Sequence, residues 1–305
     1  MPPLSKGHLM LLSGRGFAYS LGASLVFATL GAYAAWLHPL DGMAIVAWRV
    51  TFTIPAMWLV LMLLRQTDRF WALCGRMKRE PILWLVLPVA AFLLFVQQWL
   101  FMWAPGVGRL MEVSLGYFLL PLVMVLAGFF FYKERPTPLQ WLAVGFACVG
   151  VIHEIWLTRA FSWVTLLTAA GYPPYLMLRR WAKLDPVAGF LLESLFILPC
   201  VAWYLASHDA ATHALTLRPM LWLMLPLLGI LTATAFALYL AASKLLPWSV
   251  LGILGYVEPV LLFFISILFL GEPFTAAGLG TYIPIWIGVL LTCGHSLHTL
   301  RTQQA

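Results

Sequence analysis

Long runs of apolar residues recur along the whole chain, and they constrain its fold more than any other feature. A helix needs about 20 mainly apolar residues to cross a bilayer, where its backbone polar groups must be satisfied internally. The composition agrees, because 63% of the residues are hydrophobic and only 10% are charged. We therefore expect an all-α polytopic membrane protein. Ten apolar runs predict ten transmembrane helices at 16–37, 43–65, 82–103, 110–132, 138–157, 160–178, 186–206, 219–241, 248–270 and 275–298.

The first apolar run contains Ala32-Tyr33-Ala34, which imitates the cleavage site of a signal peptide. This run is longer than the apolar core of a signal peptide, and it fits the count of ten helices. We therefore expect the first helix to be retained as a membrane span.

The basic residues follow the gaps between alternate helices. Of the 18 Lys and Arg residues, 14 fall in the two tails, in the gaps on one side or, for Arg65, at the helix end that borders such a gap, and three fall in the gaps on the other. The remaining residue, Arg49, lies inside a helix. Because cytoplasmic loops carry an excess of Lys and Arg, this asymmetry predicts that both termini are cytoplasmic. The net charge of +7 is thus explained by membrane orientation, and no nucleic-acid partner is expected.

The two halves of the chain resemble each other. Near the start of each half a shift of 144 residues pairs Asp41 with Asp185. We infer two units of five helices, at 1–157 and 158–305, and the odd number of helices turns the second unit upside down. Such inverted repeats are typical of secondary transporters, which bind substrates near the bilayer midplane between the two repeats. In the later part of each half a shift of 138 residues places Pro121 on Pro259, Glu134 on Glu272 and Gly150 on Gly288.

Ionisable residues inside the predicted spans must face protein or water, and four of them are the candidates for a site. Arg49 and Glu112 lie at similar depth, which predicts a salt bridge that either locks two helices or contributes to a substrate site. Glu258 is the deepest and is also within reach of Arg49 in depth. Glu193 takes the place of Arg49 in the second repeat, an arrangement that suits a zwitterionic or amphiphilic ligand or an unliganded lock. Glu193 and Glu258 are the candidates for proton coupling.

Prolines and short polar steps punctuate the same helices. Pro121 and Pro259 each remove a backbone hydrogen bond, so we expect a kink in mid-helix at both positions. Such breaks either border a cavity or only bend helices for packing. The steps at 133–135 and 271–273 are expected to be solvated helix ends.

Aromatic and small residues around these positions predict how the helices pack. The aromatic residues that either line a cavity or pack the bundle are Trp48, Trp99, Trp103, Tyr117, Tyr172, Tyr175 and Tyr256. The glycines expected to allow close contacts between helices are Gly22, Gly116, Gly128, Gly145 and Gly150.

Several sequence strings together resemble the RarD type of the EamA branch of the drug/metabolite transporter superfamily. They are EVSLGYF at 112–118, PLV at 121–123, QWLAV at 140–144, ESLFILP at 193–199 and GYVEP at 255–259, with the Glu134-Arg135 and Gly271-Glu272 steps. The resemblance runs from the first helix to the last. It implies ten helices in two inverted five-helix repeats, a bacterial inner-membrane location, and export of metabolites or drugs through a central cavity.

The resemblance also implies a set of cavity residues. Glu258 departs from it, because family members more often carry a small residue there, and the Tyr172–Tyr175 run with its two prolines is also unusual and predicts a kink. The residues that match the family pattern are Arg49, Gln98, Trp99, Glu112, Ser114, Tyr117, Tyr175, Glu193 and Tyr256.

The leading hypothesis is a secondary exporter of small amphiphilic molecules that works by alternating access, as a monomer or homodimer in the lipid bilayer, with protons as the candidate coupling ion. An uncoupled facilitator of the same fold is the close alternative. A membrane-embedded enzyme is the alternative from another class, but the sequence contains no GxSxG or GxxxxGK[ST] motif, and Leu157 breaks the HExxH pattern that starts at His153. The four scattered cysteines have no metal-binding spacing. We therefore expect no catalysis, no metal and no cofactor.

Overall fold

The computed structural model describes residues 6–133, 136–159, 162–246, 251 and 254–304, and within them the regular structure is helical, with no strand. The Glu134-Arg135 step lies outside the described residues. Short 3₁₀ segments occupy Ala104–Val107 and Ala276–Gly278. The α-helices are α1 (Lys6–Ala35), α2 (Gly42–Leu63), α3 (Thr67–Arg79), α4 (Leu83–Trp103), α5 (Leu110–Tyr132), α6 (Pro138–Thr158), α7 (Trp163–Trp181), α8 (Pro186–Ser207), α9 (Asp209–Leu217), α10 (Leu221–Leu245), α11 (Val257–Leu268) and α12 (Leu279–Gln304).

The all-α membrane character predicted from composition agrees with the structure. Within the described residues, six helices are long and apolar enough to cross a membrane, and α5 makes a seventh if its two bent segments count as one span. These six spans lie in α1, α2, α4, α6, α8 and α10. Large apolar side chains such as Trp84, Phe130, Trp203 and Leu223 are exposed on the bundle, as expected for a surface that faces lipid. The total of ten spans remains a prediction.

The helices pack in pairs that correspond between the two halves. Helix α1 packs against α10 as α4 packs against α7, and α2 packs against α10 as α4 packs against α8. Likewise, α1 contacts α11 as α5 contacts α7. The pairs α2–α8, α5–α11 and α6–α12 join helices at equivalent places in the two predicted repeats. Two copies of one unit related by a pseudo-two-fold axis would produce such a pattern, and the division into two inverted repeats remains a prediction.

Local structure repeats in the same way. Asp41 caps α2 by accepting a hydrogen bond from the Ala44 amide, and Asp185 caps α8 by accepting bonds from the amides of Val187 and Ala188. A short helix then follows each of these long helices, α3 in the first half and α9 in the second. The equivalent role of the two aspartates is what the shift of 144 residues predicted.

A second correspondence lies further along each half. Helices α4 and α10 begin with the strings LWLVLP at 83–88 and LWLMLP at 221–226, and the residues before them share φ −58° and ψ −26°. After α5 and α11, Lys133 and Gly271 adopt φ of 55° and 67°. The shift of 138 residues relates both pairs.

The two prolines expected to kink helices behave differently. Helix α5 bends by 45° between Leu110–Leu120 and Leu122–Phe131, at the position of Pro121, as predicted. The prediction for Pro259 was wrong, because this residue lies in the first turn of α11, directly after a turn at Tyr256. Proline is tolerated in a first turn, where its missing N–H would have no partner within the helix. The helix is interrupted by the turn at Tyr256, before the proline, and it is not bent at Pro259 itself. Helix α7 continues through Pro173 and Pro174.

Two glycines of α6 allow a matched test of this packing. A Cβ added at Gly150 would lie 2.6 Å from the Thr281 carbonyl oxygen of α12, whereas a Cβ at Gly145 would meet nothing within 4 Å. The close contact predicted at Gly150 is therefore present, and the one predicted at Gly145 is absent. We expect Gly150→Ala to destabilise the protein by about 1–3 kcal/mol through overpacking, and Gly145→Ala to be neutral or stabilising. Thermal unfolding in detergent measures both, and equal effects would contradict the α6–α12 contact.

Candidate functional site

A buried arginine forms the first part of the candidate site. Arg49 of α2 is 3% exposed, and its Nε donates a hydrogen bond to Thr232 Oγ1 of α10 at 2.9 Å. Within the described residues this is the one hydrogen bond of the Arg49 side chain, and no carboxylate forms an ion pair with it. A guanidinium carries five donors and stays protonated. Most of the donors of Arg49 are therefore available to an anionic group.

Glu258 supplies the opposite charge next to Arg49. It lies in the first turn of α11, and it interacts electrostatically with Arg49, Tyr117 and Tyr172. Its side chain is partly exposed, and in the described part of the chain it forms no ion pair or hydrogen bond. A carboxylate at the start of a helix interacts favourably with the helix dipole. Arg49 and Glu258 are close enough to interact, as expected from their similar depth in the bilayer. The two side chains do not form an ion pair in the described part of the chain.

A second buried carboxylate lies between α7 and α8. Glu193 is 1% exposed, and its Oε2 accepts hydrogen bonds from Arg179 Nη1 at 2.8 Å and from the Tyr175 hydroxyl at 3.1 Å. Arg179 Nη1 also lies 2.6 Å from the Tyr175 hydroxyl, to which it donates. The other oxygen of the carboxylate, Oε1, is buried without a hydrogen-bond partner in the described residues. A buried carboxylate oxygen without a donor favours an additional ligand or a proton.

A small cavity adjoins Glu193. Its volume is about 10 Å³, which is close to the space that one water molecule needs. Its walls include the side chains of Gln98 and Ser194, and the remaining lining is apolar. In this conformation the space beside Glu193 is too small for a metabolite, so a substrate could reach Glu193 only after the helices separate.

Three tyrosines connect the two charged groups. The hydroxyls of Tyr117 and Tyr172 are 3.4 Å apart, and the rings of Tyr172 and Tyr175 have centroids 6.5 Å apart. Tyr117 therefore belongs to the Arg49 side of the site, and Tyr175 belongs to the Glu193 side. Hydroxyls and aromatic faces along this row can hold polar and flat parts of a bound molecule.

The predicted salt bridge between Arg49 and Glu112 is not formed. Glu112 instead binds Arg109, with Nε–Oε1 and Nη2–Oε2 distances of 2.6 and 2.9 Å, and it accepts a hydrogen bond from the Ser162 hydroxyl. The Arg109 guanidinium lies over the ring of Trp163 at 5.4 Å. Similar depth in the bilayer did not specify the side of the helix, and Arg109 lies only three residues from Glu112. Glu112 therefore belongs to a polar cluster at one end of the bundle.

The expectation that Glu272 is a solvated helix end was also wrong. Glu272 is buried, and its two carboxylate oxygens accept hydrogen bonds from the Leu110 amide at 2.6 Å and the Met111 amide at 2.8 Å. It caps the first turn of α5 from the segment that follows α11, and so ties the two halves together. Burial raises the pKa of Glu272 above its ordinary value, and the two amide hydrogen bonds oppose this increase.

The remaining predicted cavity residues are distributed over other contacts. Ser114 donates a hydrogen bond to the Pro259 carbonyl oxygen at 2.7 Å and so joins α5 to α11. Tyr256 is buried in an apolar cluster with Phe118 of α5. Trp99 stacks on Trp103, with ring centroids 5.6 Å apart, near the Arg109 cluster. These three positions lie outside the two charged groups.

Sequence reasoning did not identify Arg179, Thr232 and Gln97. Arg179 was counted as a loop residue that sets orientation, although its spacing of four from Tyr175 places both on one face of a helix. Thr232 and Gln97 are buried, and Gln97 donates a hydrogen bond to the Leu167 carbonyl oxygen at 3.0 Å. Polar residues within an otherwise apolar helix were the available signal for both.

Comparisons with known proteins identify relatives along nearly the whole chain. The model of the EamA-like transporter family matches residues 14–153. The "Chloramphenicol-sensitive protein RarD" of Pseudomonas aeruginosa is 49% identical over 96% of this chain and 98% of its own length. An uncharacterized transporter of Pasteurella multocida is 35% identical over 94% of this chain, and "Protein RarD" of Escherichia coli K12 is 29% identical over the same share.

A solved crystal structure of a protein at 19% sequence identity superposes with a TM-score of 0.54 and covers 92% of this chain and 98% of its own. At this identity the likeness concerns the fold alone.

Proposed function

This chain belongs to the EamA-like transporter family as a RarD-type member of the drug/metabolite transporter superfamily, and we propose that it is a secondary exporter. In this proposal it moves small amphiphilic metabolites or drugs across the bacterial inner membrane by alternating access. Its substrate would bind between the two predicted repeats, at 1–157 and 158–305, and both termini would be cytoplasmic.

The observation that carries the proposal is the pair of unjoined opposite charges, Arg49 and Glu258, inside the helix bundle. Ionisable residues within a membrane domain are costly unless they are paired or face water, and they commonly mark substrate or ion pathways. A molecule with both an anionic and a cationic group could satisfy both residues. The tyrosine row extends this polar surface to Glu193, which is the candidate site for a coupled proton.

The corresponding helix pairs of the two halves support the alternating-access part of the proposal. Two similar units can exchange their relative positions, so that a site between them opens first to one side and then to the other. The interruption at Tyr256 and the bend at Pro121 fall within three residues of equivalent positions under the shift of 138 residues, near Glu258 and Tyr117. Broken helices near the midplane are typical of transporter binding sites.

An uncoupled facilitator of the same fold remains the second candidate, because it would need the same binding surface without a site for a coupling ion. The unpartnered Oε1 of Glu193 favours the coupled transporter over the facilitator. A membrane-embedded enzyme is a weaker alternative, since no catalytic motif supports it.

We expect purified protein in proteoliposomes to give saturable efflux, and chloramphenicol is a suitable first probe because a relative's name refers to it. Metabolites that accumulate outside cells expressing the protein supply further probes. Collapse of the proton gradient should abolish accumulation by a coupled exporter, whereas a facilitator accumulates nothing. Flux that rises linearly with concentration for every probe, as in protein-free liposomes, would contradict the proposal.

A further inference from the structure

The turn between α7 and α8, taken with the first residue of α8 as residues 182–186, is held from one side by helix α3. Arg76 donates hydrogen bonds to the carbonyl oxygens of Ala182 at 3.1 Å and Lys183 at 3.2 Å. Arg69 forms an ion pair with Asp185 at 3.0 Å. The contacts to Lys183 and Asp185 are exposed and the contact to Ala182 is partly buried, and such contacts at a surface contribute little each. They close the end of the bundle that the charge asymmetry predicts to be cytoplasmic.

The same turn is held from the inside by Arg179. Its Nη2 donates hydrogen bonds to the carbonyl oxygens of Asp185 and Pro186, both at 3.0 Å. Its Nη1 donates to Glu193 Oε2 at 2.8 Å. One guanidinium therefore joins the backbone of the turn to a carboxylate buried within the bundle. Gly189 makes room for this group, since a Cβ there would lie 2.9 Å from Arg179 Nη2.

We propose that Arg179 is a positioning residue that transmits the occupancy of Glu193 to a gate formed by the 182–186 turn and helix α3. This inference rests on the proposed transport function. The ligand that Glu193 would receive in this closed conformation is a proton or another cationic group no larger than a water molecule, because the cavity beside Glu193, lined by Gln98 and Ser194, has a volume of only about 10 Å³.

The coupling follows from the chemistry of the guanidinium. Arg179 stays charged, so when a cationic group satisfies Glu193, the attraction that holds Nη1 in the interior weakens. Movement of the guanidinium toward water then withdraws Nη2 from the two carbonyl oxygens of the turn. Only the exposed contacts of Arg69 and Arg76 would remain to hold the gate closed, and these are readily broken.

The test uses the full chain with its native cysteines replaced and a single reporter, Ala182→Cys, because Ala182 is buried in the turn. The rate of labelling by a membrane-impermeant maleimide in proteoliposomes reports opening of the gate and requires no substrate. Arg179→Gln and Glu193→Gln should each raise this rate at least about tenfold, since each removes a buried charge-assisted hydrogen bond. Arg76→Gln, which removes the two hydrogen bonds from α3 and leaves the buried Arg179–Glu193 contact in place, is the matched control and should raise the rate by about twofold at most.

Two further variants keep the test decisive if Arg179→Gln folds poorly. Arg179→Lys keeps the charge but cannot reach Glu193 and both carbonyls together, and Gly189→Ala displaces the guanidinium without changing any charge. Both should raise the labelling rate. Unchanged labelling in all of these folded variants would overturn the inference, as would an equal rise in Arg76→Gln. If labelling rises but no probe shows saturable flux, the result supports the gate and contradicts the transport proposal.

Discussion

Glu193→Gln is expected to lower transport at least about tenfold while the protein still inserts into the membrane. The substitution keeps the shape of the side chain and its hydrogen bond with Tyr175. It removes the negative charge that holds Arg179, and with it the carboxylate that could bind and release a coupled proton. Hydrogen bonds to charged groups contribute about 1.5–3 kcal/mol, which corresponds to roughly 10- to 100-fold in an equilibrium constant.

Initial rates of efflux from proteoliposomes measure this effect, with the amount of inserted protein determined in the same samples. Glu80→Gln is the matched control, because it makes the same chemical change in an exposed pair with Arg76 and should leave transport within about twofold. Normal transport by Glu193→Gln would remove Glu193 from the candidate site, although the transporter family would stand.

The apolar runs of the sequence predicted the positions of the long helices well, because a run of about 20 apolar residues can form few other stable structures in a bilayer. The bounds of α5 at Leu110–Tyr132 coincide with the predicted span. The region before α11 was harder to predict. The sequence shows one apolar run at 248–270, but the helix described there begins at Val257, after a turn at Tyr256. Hydropathy reports how strongly a segment favours lipid, and it does not detect a break in the helix within that segment.

The candidate site was predictable in its residues but not in its pairings. Arg49 and Glu193 were predicted as site residues because a charge within a membrane span must be compensated, and both side chains are buried. Depth along a helix follows from counting residues, whereas the direction that a side chain faces depends on how whole helices pack. That is why Arg49 was paired with Glu112, which binds the nearer Arg109. The same limit hid the role of Glu272, whose partners Leu110 and Met111 lie in another helix, 162 and 161 residues away along the chain.

Glu258→Gln is expected to destabilise the protein and to abolish transport, and it should be more harmful to stability than Arg49→Met. Removal of the carboxylate leaves Arg49 without a compensating charge, and a guanidinium cannot release its proton. Removal of the arginine leaves Glu258, which can become neutral by binding a proton. Arg49 and Glu258 do not form an ion pair and Glu258 is partly exposed, so the cost should be smaller than the about 3–5 kcal/mol of breaking a buried pair, and the melting temperature of Glu258→Gln should fall by roughly 2–5 °C.

The double variant Arg49→Met with Glu258→Gln separates stability from function, because it removes both charges at once. We expect it to recover most of the lost stability, since two buried charges replaced by neutral groups are often tolerated, and yet to remain inactive. Thermal unfolding and proteoliposome efflux measure the two properties on the same preparations, and Glu112→Gln serves as a control that leaves both charges in place. Recovery of transport in the double variant would show that Arg49 and Glu258 only hold helices together, and the substrate would then have to bind elsewhere.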